Sequence, residues 1–173
     1  KGHGIHSPFV FDLIDTVFTD DRNFYVFPLI EEVREELLFN NTPIEVTDFG
    51  AGSRINQHYT RTISSIAKSA LKPKKFSQLL FRMVNHFGSS TILELGTSFG
   101  ITTSYLAAAN QNGFVITMEG APEIAKQAQR HFQHIGLHNI EQVIGHFDST
   151  LASVLQKNKS LDFVIIDGNH RFE

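Results

Sequence analysis

A chain of 173 residues, 41% hydrophobic and 19% charged, is about one domain, long enough for a real core and too apolar for a disordered segment. Its net charge of -3 offers no basic face for general nucleic-acid binding, so no nucleic-acid partner is expected. With zero cysteines there is no disulfide framework and no cysteine metal site, which fits a cytoplasmic protein.

No apolar run approaches the roughly 18 residues of a membrane span, so no membrane partner is expected, and Lys1-Gly2-His3-Gly4 does not read as a signal peptide. Sixteen Phe read as core filling, and nine scattered His form no H-E-x-x-H pair. From the N-terminus, Ser7-Pro8 reads as an N-cap with proline at the first helical position. Phe9, Val10, Leu13, Ile14, Val17 and Phe18 then predict one apolar helix face, ended by Asp20-Asp21. Leu29, Ile30, Val33 and Leu37 mark a second helix with Glu31, Glu32, Glu35 and Glu36 on its wet side, and Pro43 breaks the chain.

The glycine-rich stretch Val46 to Ser53, whose core is Asp48-Phe49-Gly50-Ala51-Gly52-Ser53, is followed by the polar run Arg54 to His58. It reads as a structural loop, with a substrate-side or cofactor-side role as the alternative. Ile63, Ile66, Ala67, Ala70 and Leu71 predict a third helix. Lys72-Pro73-Lys74-Lys75 is a basic connector, read as solvated, or else as a site for an anionic substrate. Phe76, Leu79, Leu80, Met83, Val84 and Phe87 predict an amphipathic helix closed by Gly88. Residues 1–90 therefore read as a helical region that packs against the sheet of residues 91–173, since no flexible linker separates them.

Thr91 to Ala109 organises the rest. Ile92 to Leu95 is too short for a helix and reads as a buried strand; Gly96-Thr97-Ser98-Phe99-Gly100 is a turn; Ile101 to Ala109 is a helix. This unit brings backbone N–H groups and a helix N-terminus to a ligand. The spacing is neither G-x-G-x-x-G nor a Walker loop, and Glu94, two residues before the first glycine, suits a ligand carrying positive charge. A β–α alternation follows: a strand from Phe114 to Met118 ending at Glu119, a helix over Ala121 to Ile135 capped by Gly136, a strand from Ile140 to Ile144 ending in Gly145-His146-Phe147-Asp148, a helix over Leu151 to Gln156, and a strand from Leu161 to Ile166 ending in Asp167-Gly168-Asn169-His170. Right-handed crossovers make such units a parallel sheet, with ligands beyond the strand C-termini. Glu119 stands about 20 residues past the glycine turn, where a carboxylate accepts the hydroxyls of a ribose.

Glu94-Leu95-Gly96-Thr97-Ser98-Phe99-Gly100-Ile101-Thr102 resembles motif I of the class I S-adenosylmethionine-dependent methyltransferases, especially the catechol O-methyltransferase-like branch, and Ile166-Asp167-Gly168-Asn169-His170 resembles the same branch. The resemblance implies an α/β, Rossmann-like, mostly parallel sheet and transfer of a methyl group from S-adenosylmethionine, most naturally to oxygen of a small hydroxylated acceptor. It puts Glu94 at the methionine end of the cofactor, Glu119 at its ribose, His146 and Phe147 at its adenine and Asp167 beside its sulfonium, with Gly96, Thr97, Ser98, Gly100, Thr102 and Gly120 as further cofactor-binding positions. It also implies that Asp167 is a ligand of a divalent cation such as magnesium in metal-dependent members, and it sets His170 where catechol-type enzymes carry a lysine base.

The resemblance covers Thr91 to Glu173 well and the front end weakly, where Gly4-Ile5-His6-Ser7-Pro8-Phe9 and the Asp48–Ser53 loop are similar to bacterial members. The family sheet has seven strands and the sequence here supplies four, so a fragment of a longer protein is one expectation. Leu161–Ile166 would then lie at an unprotected apolar edge, which predicts a homo-oligomer. Two other readings stand beside the enzyme: a cofactor-binding or regulatory domain without catalytic competence, and a nicotinamide-dependent dehydrogenase, which lacks its fingerprint here.

Overall fold

The computed structural model describes residues 7–48 and 57–168. Helix α1 (Pro8–Leu13) starts as its cap predicts: Ser7 Oγ accepts the Val10 N–H at 3.4 Å, with Pro8 at the first turn. It runs on as a π-helical turn, Ile14–Phe18, and here the expected buried face fails. Of its six apolar residues only Val17 is buried, while Phe9, Val10 and Phe18 are exposed. Helix α2 (Phe27–Phe39) buries Phe27, Ile30, Val33 and Leu37, but also Arg34, and its supposedly wet Glu31 turns inward to Tyr105.

The front end is not wholly helical. Strands β1 (Pro43–Asp48) and β2 (Gln57–Thr62) pair antiparallel, with Ile44 opposite Arg61 and Val46 opposite Tyr59. Ile44, Val46 and the Thr residues give the alternation and β-branching a half-buried hairpin needs. Most of the glycine-rich loop, from Phe49 to Ser53, lies outside the described residues, as does Gly4-Ile5-His6. Helices α3 (Ile63–Ala70) and α4 (Lys74–Phe87) follow, the second closed by Gly88 at φ +62°. The face α4 buries is Ser77, Phe81 and Val84, rotated from the expected stripe, so that Phe76 and Phe87 stay exposed.

The second half follows the predicted alternation closely: β3 (Thr91–Leu95), α5 (Ile101–Ala109), β4 (Phe114–Glu119), α6 (Pro122–Ile135), β5 (Ile140–Ile144), α7 (Phe147–Lys157) and β6 (Phe163–Ile166). Helix α7 begins four residues before the expected start because His146 caps it, its side chain accepting the Asp148 N–H. The sheet is parallel with order β5-β4-β3-β6. From β3 the chain steps outward to β5, then returns to the other side of β3. That reversal is the switch point at which α/β sheets bind ligands.

Helix α5 is buried along its whole length, since α4 and α2 cover the side the sheet does not. Its sequence is accordingly apolar or small all round. Ile92 and Val115 join α2 to α6 in one cluster, so the N-terminal region and the sheet share a core. On the opposite sheet face Leu93, Leu95, Ile116 and Met118 pack under α7 through Val154. Strand β6 is the outer strand on its side: its Phe163 and Ile165 pack on the large core, while Val164 and Ile166 point to the other face and are exposed.

Candidate functional site

The turn after β3 is held by paired backbone bonds and by conformations few residues adopt. The N–H groups of Gly96 and Thr97 both donate to Met118 O at 3.0 Å. Gly96 (φ +107°), Ser98 (φ +48°) and Gly100 (φ +81°) all lie at positive φ. A Cβ on Gly96 would stand 2.8 Å from the Asp167 carbonyl oxygen, so the turn is pressed against the end of β6. A Cβ on Gly100 would meet the Phe132 ring and Ala128 instead. Gly100 therefore makes room for α6 and starts α5, and neither it nor Thr102, buried in the first turn of α5, lines the cleft described next.

A cleft of about 460 Å³ opens at the C-terminal rim of the sheet, at the switch point. Gly96, Ser98, Glu119, Asp167 and Gly168 line it from the strand ends, and Ile66, Ser69, Ala70, Ile124 and Phe147 from the helices. Glu119 organises the floor. Its Oε2 accepts the Ser98 N–H at 2.8 Å and its Oε1 the Ala121 N–H at 3.0 Å. Burial raises its pKa, and the N–H groups of Ala121, Ser98 and Gly120 pull the other way. A carboxylate has about four acceptor positions, so lone pairs are left for a ligand. Ser98 Oγ is buried with no hydrogen-bond partner among the described residues, an unsatisfied polar group on the cleft wall. The Phe147 ring packs on Gly168, where a Cβ would be 3.2 Å away.

Glu94 does not line this cleft. It is fully buried within β3, and its Oε2 accepts the hydroxyls of Thr103 (2.5 Å) and Thr117 (2.7 Å). Thr117 spends its one hydrogen on Glu94, so Thr97 donates to Thr117 across 2.7 Å. Oε1 has no partner among the described residues. Burial, together with the charges of Asp167 and Glu119, raises the Glu94 pKa to about 7 against the pull of the two hydroxyls. Thr97 thus joins a buried polar chain rather than the cleft wall.

Of the other expected residues, Gly120 follows Glu119 and gives its N–H to that carboxylate without lining the cleft. His146 caps α7 through its Nδ1, which accepts the Asp148 N–H, and stands beside Phe147 rather than among the lining side chains. His170 and Asn169 lie outside the described residues. Asp167 has an unforeseen partner: Lys72 Nζ, from the basic connector read as solvated, stands 3.0 Å from its Oδ1. No three His, Cys, Asp or Glu side chains converge among the described residues. With an ammonium already on Asp167, this donor set does not fit a divalent cation. The α3 wall was also missed, because Ile66 and Ala70 carry no chemistry that marks them apart from core.

The methyltransferase-domain family matches residues 93–173. Among solved structures, the chain is similar to the O-methyltransferase TomG of Streptomyces achromogenes, involved in tomaymycin synthesis and bound to S-adenosylmethionine, at 26% identity over 58% of this chain and 46% of that one, with TM-score 0.55. An O-methyltransferase from Bacillus cereus in complex with S-adenosylhomocysteine is 19% identical over 90% of this chain and 58% of that one, with TM-score 0.57. The S-adenosylhomocysteine-bound methyltransferase PaMTH1 of Podospora anserina is 12% identical over 95% of this chain and 60% of that one, with TM-score 0.63. The chain thus spans 46% to 60% of the length of these structures. No curated protein matches it in sequence. Among the described residues no helix is long and apolar enough to cross a membrane.

Proposed function

We propose that this chain, whose residues 93–173 match a methyltransferase domain, is a class I S-adenosylmethionine-dependent methyltransferase of the catechol O-methyltransferase-like branch, which binds S-adenosylmethionine in the rim cleft and methylates an oxygen of a small hydroxylated molecule. The observation that carries this is the joining of Ser98 and Glu119 on one cleft wall at the switch point, the Ser98 N–H on the carboxylate at 2.8 Å. The residues fit the cofactor. Glu119 keeps lone pairs for ribose hydroxyls, and the unsatisfied Ser98 Oγ awaits a polar partner. Phe147 offers a ring face for adenine, with His146 next to it.

Bound there, the cofactor supplies an electrophilic methyl group on a sulfonium. The chain's part is to position and to exclude water: Gly96 sets the turn against Asp167, and Ile66, Ala70 and Ile124 give apolar walls. No step through magnesium is assigned. The lack of cysteine supports a cytoplasmic setting. Self-association through β6 belongs to the same proposal.

Calorimetric titration with S-adenosylhomocysteine tests it. The chain is expected to bind, Glu119→Ala to weaken binding by about 10-fold or more through lost charged hydrogen bonds, and NAD not to bind. Absence of S-adenosylhomocysteine binding, or an unchanged Glu119→Ala, contradicts the reading.

A further inference from the structure

Lys72 sits in a setting unlike that of a surface lysine. Its backbone is clamped: the buried Arg34 donates from Nη1 to the Lys72 carbonyl at 2.7 Å. Arg34 is itself fixed by Glu31 Oε1 at 3.0 Å, and that same oxygen accepts the Tyr105 hydroxyl at 2.7 Å. Tyr105 belongs to α5, the helix that leaves the glycine turn. A chain of charged and polar groups therefore runs from α5 through α2 to the connector, where Lys72 Nζ stands 3.0 Å from Asp167 Oδ1. Both side chains are only about one-quarter exposed, at 25% and 27%. Asp167 is in turn fixed through its N–H on Leu95 O at 2.8 Å and lines the cleft next to Gly96 and Ser98.

We infer that Lys72 is the cation built into this site at Asp167, and that the two side chains together grip the acceptor hydroxyl. This rests on the reading of the cleft as a methyltransferase site. The chemistry follows from what each group has left. The ammonium faces Oδ1 as an ion pair at 3.0 Å, and its N–H groups are donors an acceptor oxygen can use. Asp167 Oδ2 has no partner among the described residues. An acceptor O–H donates to Oδ2 while its oxygen accepts an N–H from Lys72. As the new C–O bond forms, the sulfonium S–CH3 bond breaks, sulfur keeps the electron pair and becomes a thioether, and the hydroxyl proton passes to Asp167. Lys72 stays charged throughout and stabilises the oxygen as its proton leaves. The acceptor class is a hydroxyl acidic enough for a carboxylate to draw its proton, a phenol or enol rather than a plain alcohol.

Two measurements test this on the whole chain. Crystals grown with S-adenosylhomocysteine are soaked in manganese chloride and read by anomalous scattering. The expected map has Lys72 Nζ on Asp167 and no manganese there. Manganese on Asp167, or Lys72 turned away from it, overturns the inference whatever the acceptor. Methyl transfer from labelled S-adenosylmethionine to catechols, phenolic acids and hydroxy acids is then compared with EDTA and with magnesium. Turnover is expected to resist EDTA, to fall on the order of 100-fold in Lys72→Met, and to recover in part in Lys72→Arg, with S-adenosylhomocysteine affinity unchanged. Magnesium-dependent turnover, or Lys72→Met at the wild-type rate, overturns it; if no acceptor reacts, the manganese map alone decides. Failure of the wild type to bind S-adenosylhomocysteine would instead strike at the reading of the cleft.

Discussion

Glu94 carries a carboxyl in a place without water, and its position has a pH signature. Its pKa is raised from the ordinary glutamate value to about 7 in the folded chain. The folded state therefore holds a proton that the unfolded state releases, and stability present below about pH 4.5 is lost as pH rises towards 7. Gln cannot titrate. Denaturant melts of wild type and Glu94→Gln are expected to separate with pH, the variant gaining about 2 kcal/mol relative to wild type between pH 5 and 8. A constant difference across that range would contradict the buried, protonated carboxyl. The same chain of hydroxyls makes Thr117→Val costly, by about 1–3 kcal/mol, because Thr97 and Glu94 both lose a partner in a dry interior. At this scale the sequence was only half legible. The acid two residues before the turn was visible, but which way its side chain faced depended on Thr103 and Thr117, and neither residue type signals a buried network by itself.

Among the elements, the glycine turn and β6 are one device. Gly96→Ala would need a Cβ 2.8 Å from Asp167 O at a φ of +107°, so either the turn or the strand end must move. The variant is expected to lose at least about 1 kcal/mol of stability and most of its S-adenosylhomocysteine binding. A variant that melts and binds like wild type would show that the contact does not shape the cleft. Elements with strong local punctuation were readable: α5 begins at the turn's last glycine, α6 ends at Gly136, and β5 runs as its branched residues predict. Elements whose fate depends on distant partners were not. The apolar stripe of α1 predicted burial, yet only Val17 found a core. The β1–β2 hairpin hid because each strand is short and half polar, and the pairing that stabilises it is not local. Lys72 hid for a related reason: a lysine beside a proline reads as solvated until Arg34 and Asp167 are brought to it.

For the molecule as a whole, one core spans the N-terminal helices and one face of the sheet, while the other face is covered only in its middle by α7. Val164 and Ile166 of β6 are 48% and 65% exposed, beside a strand edge that no described strand pairs. Light scattering at micromolar concentration is expected to give a mass above the 19.5 kDa of one chain, and Val164→Lys with Ile166→Lys to lower it. A monomeric wild type would contradict association through this edge. The order of strands and the place of the cleft were legible because strand, turn and helix alternate with clear breaks, and the rim at a switch point is where such a sheet takes ligands. The most direct measurement is a crystal structure of the chain soaked with S-adenosylhomocysteine. The ribose is expected on Glu119, the adenine against Phe147 and the sulfur near Asp167. A cleft closed by protein side chains, or a nucleoside bound away from Glu119, would contradict it.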